Sequence, residues 1–240
     1  MHSSCVQEVP NGALVDTMMA PCNTTASDPT APLRQIYAMH TQIEANATGG
    51  GQWTSFVADW TVPALPTTYE GQVDYYWPGF KASEPVMGFP VLQPVLQYGQ
   101  HGPTWQLQSW YVHAPQAVTA PAIDVKAGDK LTSYMVFHPG NKTWTVSGTN
   151  TRTGESTVLQ VAQRTIGART HSFNWAMLVC ETIKRDGACD QLPASNRVTF
   201  TNVQVDGAPV AWVKKVGLSD CNEGVAVSAG NDEVTLSWTS

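Results

Sequence analysis

The chain has 240 residues, of which 13% are charged and 9% are aromatic, and its formal net charge is −6. A mildly acidic protein without a basic stripe is a poor partner for nucleic acid, because binding to phosphates depends on clustered cations. No apolar run approaches the roughly 20 residues that a membrane-spanning helix needs, so we expect neither a nucleic-acid nor a membrane partner.

The length fits one sandwich-sized domain with an extension. Few charges and plentiful Trp, Tyr, Thr, Val and Gly are typical of a β-rich secreted protein. Residues 1–50 are rich in Pro, Asn, Thr, Ala and Ser, and we interpret them as an irregular N-terminal extension or the remnant of a pro-segment. Within them, residues 33–45 carry apolar side chains at helical spacing, which predicts one short helix. Residues 51–240 then form the domain.

From residue 52 onward, apolar and polar residues alternate with a period of two, as in half-buried strands. Turn sequences such as Pro139-Gly140-Asn141 and Asp206-Gly207 separate nearly all of these segments. Strands are predicted at residues 56–62, 73–77, 91–98, 105–113, 122–125, 131–137, 143–147, 156–161, 173–183, 197–205, 210–216 and 233–238. About a dozen short strands without intervening helices predict an all-β fold, an antiparallel two-sheet β-sandwich of the jelly-roll kind.

Three N-glycosylation sequons are compatible with passage through a secretory pathway, and we expect a secreted glycoprotein. The sequons begin at Asn23, Asn46 and Asn141.

Five cysteines allow two disulfide bonds and one free thiol. Cys5 and Cys22 could close an N-terminal loop, and Cys189 and Cys221 could join two late loops, although four cysteines allow three pairings. Cys180 is then left over. Its place in an alternating strand predicts that it points into the core as an inert thiol.

Two stretches each place one chemically capable polar side chain among apolar neighbours. Residues 77–110 contain Gln93 and residues 173–183 contain Glu181. If the two faces line one groove, an amide and a carboxylate lie side by side, which is a pair that can activate water. The alternative is that both residues are ordinary polar positions on the solvent-facing sides of strands.

Short motifs follow one another in a fixed order across residues 52–205. They are Val-Ala-Asp-Trp-Thr-Val-Pro at 57–63, Trp-Pro-Gly-Phe-Lys at 77–81, Val-Leu-Gln at 91–93, Ser-Trp-Tyr at 109–111, Ala-Gly-Asp at 127–129, Ala-Met-Leu-Val-Cys-Glu at 176–181 and Val-Thr-Phe-Thr-Asn at 198–202. This order resembles the glutamic peptidases of the eqolisin family, secreted acid-acting fungal enzymes whose fold is a sandwich of two antiparallel sheets.

The resemblance implies that Gln93 is the catalytic glutamine and Glu181 the catalytic glutamate. Gln97 competes for the first role, because Val-Leu-Gln-Tyr-Gly at 95–99 also resembles the family's Ile-Leu-Gln-Thr-Gly element. We prefer Gln93 for its distance from Trp110, and equal parity should place both glutamines on one side of the strand. In this mechanism Glu181 is the general base toward water and then the general acid toward the leaving nitrogen, while the glutamine positions the water and stabilises the oxyanion.

One position departs from the family pattern. Lys81 stands where the family has an aspartate, and a cation beside the dyad would lower the pKa of Glu181. Such a change would shift the pH optimum, alter the substrate or end peptidase chemistry. We expect Lys81 and Gln97 to line the substrate groove together with three tryptophans, although tryptophans in a sandwich are often core residues. The three are Trp77, Trp105 and Trp110.

The sequence contains no His-Glu-x-x-His motif, no Gly-x-Ser-x-Gly elbow and no phosphate-binding glycine loop, so we expect no metal and no cofactor. Three functions compete. The first is a metal-independent glutamic endopeptidase that acts on peptides or proteins. The second is a glycan- or peptide-binding sandwich without catalysis, and the third is a divergent enzyme that uses the same groove for a small molecule. In each case we expect a monomer.

Overall fold

The computed structural model describes residues 5–15, 36–47, 51–82, 90–113, 116–163, 165–166, 169–170, 172–184, 189–216 and 221–239. These residues contain no α-helix, and therefore no helix that could cross a membrane. Their strands are β1 (Val6–Glu8), β2 (Leu14–Val15), β3 (Ile36–Asn46), β4 (Ser55–Thr61), β5 (Val73–Ala82), β6 (Val91–Gly99), β7 (Gly102–His113), β8 (Gln116–Thr119), β9 (Ile123–Val125), β10 (Lys130–His138), β11 (Thr143–Asn150), β12 (Ser156–Ala162), β13 (Thr165–Ile166), β14 (Arg169–Thr170), β15 (Phe173–Lys184), β16 (Arg197–Val205), β17 (Val213–Val216), β18 (Gly224–Val227) and β19 (Val234–Ser237).

The strands form two large sheets. Sheet I has the order β1-β8-β7-β6-β5-β15-β3-β17, with β9 also paired to β7, and sheet II has the order β18-β19-β16-β4-β10-β11-β12-β2. Strands β13 and β14 pair only with each other. The predicted two-sheet sandwich is confirmed. It differs from the prediction in one respect, because the first two strands join their sheets in parallel, β1 to β8 and β2 to β12, and make both sheets mixed.

Each of the twelve predicted strands has a counterpart, but the predicted helix at residues 33–45 is wrong. Its described part is strand β3, which pairs with β15 on one side and β17 on the other. Ladder hydrogen bonds on both edges outweigh a weak helical pattern, which is the usual way in which tertiary pairing overrides local propensity. The described residues before position 50 therefore contribute strands to both sheets.

Aromatic side chains dominate the core between the sheets. Phe80 contacts Phe56 at 5.3 Å and Trp144 at 5.4 Å between ring centroids, and Trp60 contacts Phe200 at 5.6 Å. Each of these five side chains is at most 2% exposed. Burying a side chain of this size contributes about 2–3 kcal/mol, so this layer holds the two sheets face to face.

A second apolar cluster lies on the opposite side of sheet I, which we call the outer face. It consists of Trp77, Val95, Trp110, Ala117, Met177 and Val179. A strand presents alternate residues to opposite sides of its sheet. Sheet I therefore buries apolar side chains on both faces, unlike a sheet with one face open to water.

The structure bears out two predictions about the cysteines. Cys189 and Cys221 form a disulfide bond, with their Cα atoms 5.6 Å apart. Cys180 is a free thiol and is 1% exposed in the inter-sheet core. Cys5 is buried and disulfide-bonded, whereas Cys22 lies outside the described residues.

Two of the three sequon asparagines can be located. Asn46 ends β3 and Asn141 lies in the turn between β10 and β11, and both are exposed. Asn23 lies outside the part of the chain that the structure describes. Glycosylation stays a prediction.

Candidate active site

Strand β5 lies between β6 and β15 and forms the middle of the outer face. Its even-numbered residues Tyr76 and Phe80 point into the inter-sheet core and are fully buried. Its odd-numbered residues, among them Tyr75 and Trp77, face the other way. The candidate site is therefore built on strands, which hold side chains more precisely than loops do, and β15 shifts its register against β3 between Cys180 and Glu181.

Glu181 and Gln97 lie in one row across the outer face. Glu181 on β15 is paired with Tyr75 on β5, and Tyr75 is paired with Gln97 on β6. Two interstrand steps separate the Cα atoms of Glu181 and Gln97 by about 10 Å. Their side chains lie on one face, with Tyr75 between the two residues in the row.

Gln93, the glutamine preferred from the sequence, lies on the same face but in a different row. It is half-buried and paired with Trp110, four positions along β6 from Gln97. Four residues of a strand span about 13 Å. The register thus brings Gln97 level with Glu181 and places Gln93 four positions further along β6.

Burial raises the pKa of Glu181 above its ordinary value. The indole N–H of Trp77 acts in the opposite direction, because it approaches the carboxylate, although it does not meet the geometry of a hydrogen bond. Burial, and secondly the negative charge of Glu181, also raise the pKa of Tyr75. Tyr75 therefore stays a neutral phenol, and its hydroxyl donates to Oε1 of Gln100 at 2.8 Å.

Lys81 does not have the predicted effect on Glu181. It is half-buried at the far end of β5 and paired with Trp175, six residues from Glu181 on β15. Six residues correspond to about 20 Å, which is beyond the screening length of about 8 Å at physiological salt. The expectation that Lys81 lowers the pKa of Glu181 is thus corrected, since the pKa is raised and burial is the main cause.

A chain of side-chain amides runs behind Gln97. Gln97 Nε2 donates to Gln108 Oε1 at 3.2 Å, and Gln108 Nε2 donates to the backbone carbonyl of Ala120 at 2.8 Å. Gln97 is 1% exposed and Gln108 is 5% exposed. The carbonyl oxygen of Gln97 is buried without a hydrogen-bond partner among the described residues. A buried acceptor of this kind is costly unless water or a ligand completes it.

Two indole N–H groups of the outer face are also buried polar groups without a hydrogen-bond partner among the described residues. They are Nε1 of Trp77 and Nε1 of Trp110. The face therefore offers N–H donors beside a carbonyl acceptor and a carboxylate. This set can bind a polar molecule that both donates and accepts, such as water or a peptide group.

Gly79 lets the Trp77 ring lie close to the sheet. A Cβ atom at this position would come within 2.7 Å of two carbons of the Trp77 ring and 3.0 Å of the Leu92 carbonyl oxygen. Trp77 therefore leans over its neighbour two residues along β5. Such close approach requires glycine.

Trp105 does not join the other two tryptophans. It is 2% exposed in the inter-sheet core and contacts Tyr98 at 5.0 Å and Tyr76 at 6.0 Å between ring centroids. The structure therefore places it away from the outer face, on which Trp77 and Trp110 lie.

Within the described residues, no three His, Cys, Asp or Glu side chains are arranged to hold a metal ion.

Sequence reasoning missed Tyr75 and Gln108. The signal that could have found them is parity, since Tyr75 is two residues from Trp77 and Gln108 is two residues from Trp110. Residues two apart in a strand share a face.

Solved structures show the same fold. The structure of scytalido-glutamic peptidase with a transition state analog inhibitor superimposes with a TM-score of 0.59 at 12% identity, and covers 85% of this chain and 100% of its own. The structure of SCP-B, a member of the eqolisin family of peptidases in a complex with the tripeptide Ala-Ile-His, gives a TM-score of 0.57 at 15% identity with the same coverage. No family model and no curated protein matches the chain by sequence. At this identity, the likeness shows the fold.

Proposed function

We propose that the protein is a secreted, acid-acting peptide hydrolase of the glutamic type, in which Glu181 and Gln97 activate water. The observation that carries the proposal is their common row on the outer face, where Glu181 has a raised pKa and the carbonyl oxygen of Gln97 has no partner within the described part of the chain. The shared fold with peptidases that were crystallised with a peptide and with transition state analogs supports a peptide substrate.

The reaction begins with a water held between the two side chains. The ionised carboxylate of Glu181 accepts one hydrogen of the water, and Gln97 Oε1 accepts a hydrogen bond from the other. The water oxygen attacks the peptide carbonyl carbon, and its proton passes to Glu181. The second N–H of Gln97 and the Trp77 indole are donors for the oxyanion that forms.

The intermediate then breaks down. The protonated Glu181 gives its proton to the amide nitrogen, the C–N bond breaks, and a carboxylic acid and an amine leave. Burial suits both roles, because a raised pKa makes the carboxylate a better base and keeps the acid form populated in mildly acidic medium. Hydrolysis should decline below the pKa of Glu181, where the base is already protonated.

The tryptophans do not favour the glycan-binding alternative. Sugar rings stack on open aromatic faces, but Trp77 is 4% exposed and Trp110 is 8% exposed. Both belong to the packed cluster on the outer face.

The test is cleavage of a denatured protein between pH 3 and pH 6 in the presence of EDTA, a thiol blocker and pepstatin. Wild-type activity should survive all three inhibitors. Glu181→Gln should lose at least about 10³-fold in kcat, and Gln97→Ala about 10²-fold to 10³-fold. Gln93→Ala is the matched control, and it should change kcat by less than about tenfold because it lies in another row. Full activity in Glu181→Gln would refute the proposal, and a larger loss in Gln93→Ala than in Gln97→Ala would restore the glutamine preferred from the sequence.

A further inference from the structure

We propose that Gln108 is a positioning residue that fixes the orientation of the Gln97 amide, an inference that rests on the proposed function. Gln108 lies two residues from Trp110 on β7, with its side chain on the outer face beside Gln97. It has no place in the row of Glu181, since it is paired with Val95. Its role would be exerted entirely through Gln97.

The orientation of both amides follows from one backbone group. The Ala120 carbonyl can only accept a hydrogen bond, so the Gln108 group at 2.8 Å from it must be the NH₂. Gln108 therefore turns its carbonyl oxygen toward Gln97. Only the NH₂ of Gln97 can satisfy that oxygen, at 3.2 Å. The amide oxygen and nitrogen have nearly the same shape, so both side-chain orientations are assigned from which atoms can donate and which can accept a hydrogen bond.

The result is that Oε1 of Gln97 points away from Gln108 and has no hydrogen-bond partner among the described residues. A glutamine amide has a soft terminal torsion, and two orientations related by a half-turn have similar intrinsic energies. Without Gln108, the half-turned amide would present N–H where the water needs an acceptor. Gln108 thus selects the orientation that can hold the nucleophile.

A neighbouring glutamine supplies a matched control. Gln106 lies on the same strand, two residues from Gln108, and its Nε2 donates to Asp124 at 3.0 Å. It is half-buried, and its Oε1 has no hydrogen-bond partner among the described residues. It is level with Gln97 in the ladder, but no hydrogen bond between their side chains is present in the described structure. Gln106→Leu therefore removes an amide of the same size from the same face without breaking the chain behind Gln97.

The experiment compares Gln108→Leu, Gln108→Glu and Gln106→Leu by kcat and KM for peptide hydrolysis as a function of pH. Gln108→Leu should lower kcat about tenfold to 100-fold with little change in KM, because substrate contacts remain and only the water is misplaced. Gln106→Leu should stay within about threefold of wild type.

Gln108→Glu gives a readout that a merely structural role would not produce. A protonated carboxyl at position 108 can donate to Ala120 and accept from Gln97, as the glutamine does, whereas an ionised one cannot donate. Activity should approach wild type at the acid end and fall toward that of Gln108→Leu as the new carboxyl ionises. Equal pH profiles for Gln108→Glu and Gln108→Leu, or an unchanged kcat in Gln108→Leu, would overturn the inference.

Failure of the positioning role of Gln108 can be distinguished from failure of the proposed function. If Glu181→Gln and Gln97→Ala are inactive while Gln108→Leu is fully active, only the positioning role is lost. If the wild-type protein hydrolyses no peptide, hydrogen exchange of the Gln97 side-chain amide, followed by NMR, tests the positioning role instead. Exchange should be slow in wild type and in Gln106→Leu and about tenfold faster in Gln108→Leu. Equal exchange in all three would reject the inference without reference to catalysis.

Discussion

Glu181 on β15 and Asp129 in the turn before β10 are both carboxylates with little solvent exposure, and their surroundings are opposite. Asp129 accepts hydrogen bonds from the Lys126 backbone, from Asn150, and from Nε and Nη2 of Arg152. These donors hold its pKa well below the usual range, and the Arg152 hydrogen bond is the largest cause. The indole of Trp77 approaches Glu181, but burial is the larger effect and raises the pKa of Glu181. A carboxylate that accepts several hydrogen bonds is a structural element, while one that burial dominates, with one indole near it among the described residues, is available for chemistry.

The two shifts have opposite consequences for stability. The folded-state pKa of Asp129 is lowered, so its contribution is present above the unfolded-state pKa and is lost as pH falls through the folded-state value. The folded-state pKa of Glu181 is raised, so stability is fully present below the unfolded-state pKa and is lost as pH rises through the folded-state value. Between the unfolded-state and folded-state pKa values of Asp129, its contribution therefore declines as pH falls, while the destabilising charge of Glu181 is already neutralised.

Removing the Asp129 carboxylate should give the largest loss of stability. Asp129→Ala leaves the Lys126 N–H and the Asn150 amide without their acceptor, which costs about 2–3 kcal/mol of unfolding free energy. The measurement is urea unfolding at pH 7 and pH 4. Because the carboxylate is still ionised at pH 4, the loss should be similar at both pH values. A loss that disappears at pH 4 would contradict the lowered pKa.

Adding a methyl group beneath Trp77 tests the geometry of the site at a smaller cost. Gly79→Ala must displace the packed indole or the Leu92 carbonyl, which costs about 1–3 kcal/mol and should also lower kcat. Gly148→Ala is the matched control, since its Cβ would come within 2.9 Å of the Leu107 side chain in the inter-sheet core. Thermal unfolding and peptide hydrolysis of both variants should show similar destabilisation, with activity reduced only in Gly79→Ala. Equal activity in the two variants would show that the position of Trp77 does not matter.

Replacing Glu181 with glutamine should stabilise the protein at neutral pH. Glu181→Gln removes a buried charge that the site does not compensate, and a gain of about 0.5–2 kcal/mol is typical when a functional group of this kind is neutralised. Below about pH 4.3, where an ordinary glutamate is protonated, wild type and variant should be equally stable. Denaturant midpoints across pH 3 to 8 measure the difference, and a gain that is largest in acid would reverse the sign that burial predicts.

Much of this comparison could be predicted from the sequence, because alternation of period two reveals strands and their faces. Twelve of the sixteen strands from β4 onward, the inward thiol of Cys180 and the outward side chain of Glu181 follow from that alternation, whereas β8, β13, β14 and β18 are not among the predicted strands. Parity also separates Trp105 from Trp110 on β7, although the sequence prediction placed both in the groove. The N-terminal strand β3 was mistaken for a helix because its apolar residues fit both periods.

The choice of glutamine could not be predicted in this way. Gln93 and Gln97 have the same parity, so alternation places both on the outer face and cannot say which is level with Glu181. That depends on how β6 is registered against β5 and how β5 is registered against β15, which is a property of non-local pairing. The amide chain through Gln108 is likewise invisible in the sequence, since it joins residues from neighbouring strands to the carbonyl of Ala120.

The smallest expected effect comes from the indole that approaches Glu181 among the described residues. In the wild type, the indole N–H of Trp77 lowers the pKa of Glu181. Trp77→Phe keeps an aromatic ring over Gly79 but removes this N–H. Without it, the pKa should rise further, and the acid limb of the pH–rate profile should move to higher pH. Loss of one weak donor, worth about 0.5–1 kcal/mol, limits the fall in kcat at the optimum to about fivefold. A shift of the limb to lower pH would mean that the indole does not favour the carboxylate, and the contrast with the donors around Asp129 would then be sharper.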